Sequence, residues 1–151
     1  MTNERYRWEN QIISHYMPNS KLFSWGNLEY GTPYVRMAAR TNTGNVYVLR
    51  IELPNYPNNK PNAYVETELK DRYGKKLEEL KTYNHTLADH PTYGWTQICH
   101  YHPNAWNHTM SIWMVYVRCV MWLNIYEVTL KTGHTMDKYL SHMNEDGRRA
   151  F

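Results

Sequence analysis

His90-Pro91-Thr92-Tyr93-Gly94-Trp95-Thr96-Gln97-Ile98-Cys99-His100-Tyr101-His102-Pro103-Asn104 is the stretch from which the rest of the chain is read. It holds Cys99 in polar company, with histidines on both sides. A thiol of pKa about 8.5 is only a few per cent thiolate at neutral pH, yet that fraction is a strong nucleophile. Neighbouring histidines can raise it by charge or act as base. The second cysteine, Cys119, falls inside an apolar run and reads as packing. Composition alone leaves Cys99 open between packing and chemistry.

Working outward, Ser111 to Lys131 is apolar nearly all round, which predicts a helix buried on several sides. Ile112, Val115, Tyr116, Cys119, Trp122, Leu123 and Tyr126 mark one face, and Gly133 is a natural C-cap. Toward the amino terminus, residues 3–17 predict an amphipathic helix with Trp8, Ile12 and Tyr16 four apart and Pro18 stopping it. Residues 21–66 predict an antiparallel meander of four strands. Thr41-Asn42-Thr43-Gly44-Asn45 is its turn, and Tyr47, Leu49, Ile51 and Leu53 alternate toward a core. Pro54-Asn55-Tyr56-Pro57-Asn58-Asn59-Lys60-Pro61 is an ordered loop, because proline lacks the N–H that a sheet interior needs. A short strand, Ala63 to Glu66, follows it. Residues 67–88 are of mixed charge and read as a surface excursion with a solvated helix around Lys75 to Tyr83. Residues 89–110 show little regular pattern. The plan is α+β.

The 151 residues suit one domain, 1–151, large enough to fold without disulfide or metal. With 17 Lys+Arg against 14 Asp+Glu the net charge is +3 and no basic tract occurs, which argues against nucleic acid as a partner. The amino terminus is polar with no apolar h-region after it, and Ile112 to Leu123 is too short to span a bilayer. A cytoplasmic chain with both thiols reduced and no membrane partner is expected.

Four motifs in order resemble the ubiquitin-conjugating enzymes. The loop Pro54–Pro61 resembles that family's proline-rich loop. His90-Pro91-Thr92 with Gly94 and Ile98-Cys99 is similar to its His-Pro-Asn motif ahead of the catalytic cysteine. Trp106 and Met110-Ser111-Ile112 resemble its tryptophan and the helix after the cysteine. The likeness covers residues 5–125 and implies a UBC-like fold with no cofactor. It also implies a thioester of a protein carboxyl terminus on Cys99, passed to a lysine. Thr92 stands where the family has its Asn, the donor to the oxyanion, and the His-to-Cys spacing is one residue short. Thr92, Asn104 and His102 are the candidates for that contact, and His90 shapes the loop. The insertion at 67–88 and the ending look more like small bacterial conjugating-enzyme-like proteins of antiphage operons. That likeness implies as partner a cyclic-oligonucleotide-synthesising nucleotidyltransferase, with an activating enzyme possible. Tyr56, Pro57 and the exposed side of residues 5–16 are docking surfaces by the same analogy.

Rival readings follow from the same residues. His100-Tyr101-His102-Pro103 is a zinc-isopeptidase-like string, but Trp113 and Met114 fall where its acid ligand belongs. Cys99, His102 and His108 lack the paired Cys-x-x-Cys spacing of a structural zinc site. A cysteine hydrolase would need His90 or His102 as base. A catalytically inactive scaffold of the same fold is the main alternative, favoured by Thr92 and opposed by Cys99. No bound metal is expected.

Overall fold

Thr2 starts α1 (Asn3–Tyr16) by accepting the N–H of Arg5 on Oγ1 at 3.1 Å, and Met17 ends it ahead of Pro18. The computed structural model describes residues 1–100 and 105–140, so the candidate site residues His102 and Asn104 lie outside what it describes. The inward face of α1 is not the Trp8–Ile12–Tyr16 stripe. Glu9, Ile13 and Met17 are buried, while Trp8 and Tyr16 are exposed. A carboxylate can point inward here because each of its oxygens is hydrogen-bonded, as the rule for buried charge demands.

The meander has five strands where four were expected: β1 (Phe23–Gly26), β2 (Tyr34–Arg40), β3 (Val46–Glu52), β4 (Asn62–Val65) and β5 (Thr96–Ile98). All neighbours are antiparallel and lie in chain order. β5 is only three residues long, too short to show an alternation in sequence. At the β2–β3 turn, Thr41 N–H donates to Asn45 O and Gly44 N–H to Thr41 O, both at 2.9 Å. The register aligns Val35, Ile51, Ala63 and Ile98 in one row and Met37, Leu49, Val65 and Thr96 in the next. All eight are buried, so one face of the sheet is the floor of the core.

α2 (Ile112–Thr132) closes that core with Ile112, Val115, Cys119, Trp122 and Leu123. Ser111 caps its start by accepting the Met114 N–H at 3.2 Å, and Gly133 ends it in the left-handed region at φ +76°. Burial is one-sided rather than all round. Met114, Val117 and Val128 on the outer face remain 45%, 42% and 41% exposed. The amino-terminal turn of α2 is shared with α1, where Tyr16 stacks on Trp113 at 5.0 Å. Among the described residues no helix is long and apolar enough to cross a membrane.

Residues 67–88 contain no α-helix. Asp71 Oδ1 accepts the N–H groups of Tyr73 and Lys75, and Gly74 sits at φ +81°, so the chain makes a turn that pairs Lys70 with Lys76. A 3-10 turn follows at Thr82–Asn84. The segment lies at the surface, with Tyr73 and Leu80 exposed, and is pinned to α2 at a few points. Tyr126 OH donates to Lys70 O at 2.7 Å, Trp122 Nε1 donates to Asn84 O at 3.1 Å, and Leu69 and Leu77 are buried.

Candidate functional site

Cys99 follows β5 directly, half-buried, and neither it nor Cys119 is in a disulfide. Its backbone is fixed before its side chain is considered. Cys99 N–H donates to His85 O at 2.9 Å, Thr86 pairs with Ile98, and Leu87 N–H donates to Gln97 O at 2.9 Å. Residues 85–87 thus cover the outer edge of β5. The expected excursion is mostly at the surface, and its last part, residues 85–87, lies along the backbone of Ile98 and Cys99.

On the other side of Cys99, His100 is buried and its ring lies with Nε2 2.7 Å from Pro61 O, so that nitrogen carries the proton. Burial pushes its pKa down to about 3, far more than the carbonyl of Pro61 restores. His100 is therefore a neutral fastener to the proline-rich loop, not a cation or base for the thiol. Arg118, which interrupts the apolar run of α2, reaches back with Nη1 to His100 O at 3.1 Å. A guanidinium thereby holds the carbonyl of the residue that follows Cys99.

A second fastening lies at the loop and α1. Glu9 Oε1 accepts the N–H of Ile112 at 3.0 Å, and Oε2 accepts from Arg5 Nε at 3.2 Å and from Tyr56 OH. Arg5 also donates to His108 O at 2.5 Å and Met110 O at 2.6 Å. Burial raises the Glu9 carboxyl above its ordinary range, against the hydrogen bonds from Tyr56 and Ile112 and the charge of Arg5. Trp106 Nε1 donates to Pro57 O at 3.0 Å. One buried carboxylate so joins α1, the loop and the start of α2. The spacing of Trp106 from Cys99 was visible in sequence, but the Arg5–Glu9–Tyr56 joint was not. Its only trace was an i, i+4 charge pair on a helix.

The hairpin ahead of Cys99 turns at residues 90–95, where Gly94 N–H donates to His90 O and His90 N–H to Trp95 O, both at 2.8 Å. His90 shapes it from inside. Nδ1 accepts the N–H groups of Thr92 and Tyr93 at 3.1 and 3.2 Å, and Nε2 faces Glu52 at 3.4 Å. Thr92 is exposed at the tip of this hairpin, whereas Cys99 is at its base. About 10 Å of extended chain, from Trp95 to Ile98, separates the two ends. The hairpin therefore holds Thr92 and Cys99 at opposite ends. Among the described residues no cluster of three His, Cys, Asp or Glu side chains could hold a metal ion.

Comparison of the chain with protein-family models, with curated proteins and with solved structures returns no match.

Proposed function

We propose that this chain is a conjugating-enzyme-like carrier that takes an activated protein carboxyl terminus onto Cys99 as a thioester and passes it to a lysine. The observation that supports this most is the setting of Cys99: backbone held on both sides, side chain half-exposed. A carrier thiol needs that combination, because the acyl group must enter while its carbonyl stays in one place.

In the first step the Cys99 thiolate attacks the activated acyl carbon, and the activating group leaves with the electron pair. In the second the lysine amine attacks the thioester, loses its proton to solvent or a base, and expels the thiolate. Splitting the transfer lowers each barrier. Arg118, whose guanidinium is held on the carbonyl of the residue after Cys99, is a further candidate for stabilising the acyl oxygen as it becomes negative. His102 and Asn104 remain the sequence-based candidates for direct contact with that oxygen. The likeness to antiphage proteins makes the carboxyl terminus of a cyclic-oligonucleotide synthase the substrate to test first.

The test uses the chain with that protein and an activating enzyme. Cys99→Ser is expected to trap an ester that resists reductant, and Cys99→Ala to trap nothing while folding normally. Conjugation that survives Cys99→Ala would establish the inactive-scaffold reading instead.

A further inference from the structure

We propose that Asp137 and His85 form a latch that positions Cys99 for acyl transfer, an inference that rests on the carrier reading above. The chain of contacts is short. Asp137 Oδ1 lies 2.9 Å from His85 Nε2, and His85 O receives the Cys99 N–H at 2.9 Å. A carboxylate only accepts, so Nε2 carries the proton and donates it.

His85 has a left-handed backbone at φ +53° and closes the 3-10 turn at Thr82–Asn84 with its own N–H on Thr82 O at 3.1 Å, so its side chain is the group that ties this turn to Asp137. Its ring is buried, so the pairing with Asp137 is shielded on the histidine side. Asp137 is held in turn by the turn after α2, where Met136 and Leu140 are buried and Leu140 N–H donates to Met136 O at 3.0 Å. A path of contacts therefore runs from the turn after α2, through one hydrogen bond between a buried histidine and a half-exposed carboxylate, to the backbone of the proposed nucleophile. His85 and Asp137 are positioning residues, since the contacts described act on the backbone of Cys99.

The experiment compares Asp137→Ala, Asp137→Asn and His85→Asn in the full chain by amide hydrogen exchange and by single-turnover thioester loading. Asp137→Ala is expected to speed exchange at Ile98–Cys99 by about tenfold, the factor set by losing one hydrogen bond to a charged group. The loading rate should fall by about the same factor, with the half-saturating concentration of carried protein unchanged. Asp137→Asn keeps an acceptor oxygen and should stay within about twofold of the wild type on both readouts. His85→Asn tolerates the left-handed backbone but cannot reach Asp137, and should behave like Asp137→Ala. Unchanged exchange at Cys99 in Asp137→Ala overturns the latch, and so does a uniform acceleration that includes the amides of α2. If the wild type forms no thioester, the carrier reading fails while the exchange comparison still decides the latch.

Discussion

Cys99 follows the short strand β5 with its N–H on His85 O, while Cys119 sits mid-helix in the core, fully buried. Burial pushes the Cys119 thiol well above the ordinary range. In a helix the backbone satisfies itself, so the exposure of a side chain follows only from its face. At a strand end, neighbouring segments can fix the backbone and leave the side chain reachable. Position and access come together at Cys99, and only position is available at Cys119.

The widest separation between the two should be chemical. With iodoacetamide under native conditions, Cys99 is expected to be alkylated at least about a hundredfold faster than Cys119, read by mass spectrometry of each peptide. In strong denaturant the two rates should converge. Comparable native rates would break the comparison, because they would mean that α2 opens as readily as the cysteine loop.

A smaller effect sharpens the contrast at the residue beside Cys99. The pKa of His100 falls from 6.5 to about 3 on burial, so between those values the folded state binds fewer protons than the unfolded one. Stability from this group therefore rises with pH across that window and is lost as pH falls from about 6.5 toward 3. Denaturant unfolding of the wild type and His100→Gln at several pH values isolates it, since the carboxylates titrate alike in both. The wild-type advantage should shrink steadily in acid. A constant difference would mean that the ring is charged in the folded protein, and His100 would return as a candidate cation for the thiol.

What could be read from sequence follows the same division. Ser111, Gly133 and the Thr41–Asn45 turn fix their own backbone locally, and the structure places α2 and the β2–β3 hairpin where those residues said. The three prolines of Pro54–Pro61 likewise announced an ordered loop. The hidden parts are those held by contacts between distant segments. Glu9 displaced the expected face of α1 because three donors, two of them from other segments, satisfy it. Mixed charges at 67–88 suggested a solvated helix, but the segment has no α-helix, Leu69 and Leu77 are buried, and His85 and Thr86 lie against Cys99 and Ile98. Cys99 stood out as a candidate by its polar, histidine-rich company in the sequence. His85, Pro61 and Arg118, which hold its surroundings, carry no periodic signal and no motif.

The smallest expected effect concerns Thr92, and it tests how far the held region extends. By position in the sequence Thr92 replaces the Asn that would donate to the oxyanion, and removing such a donor slows the reaction by about a hundredfold or more. By position in the fold Thr92 is exposed at the hairpin tip, its N–H bound to His90 Nδ1, with β5 between it and Cys99. A hydroxyl can act on a developing charge only within hydrogen-bond distance, so the geometry and the motif give different forecasts. The geometry predicts that Thr92→Ala changes discharge of the thioester to lysine by less than about twofold, with loading unaffected. Single-turnover discharge in excess lysine measures it directly. A hundredfold loss with normal loading would mean that the tip folds back over the thioester during transfer. The hairpin would then belong to the moving part of the site, and only His85 and His100 to the fixed part.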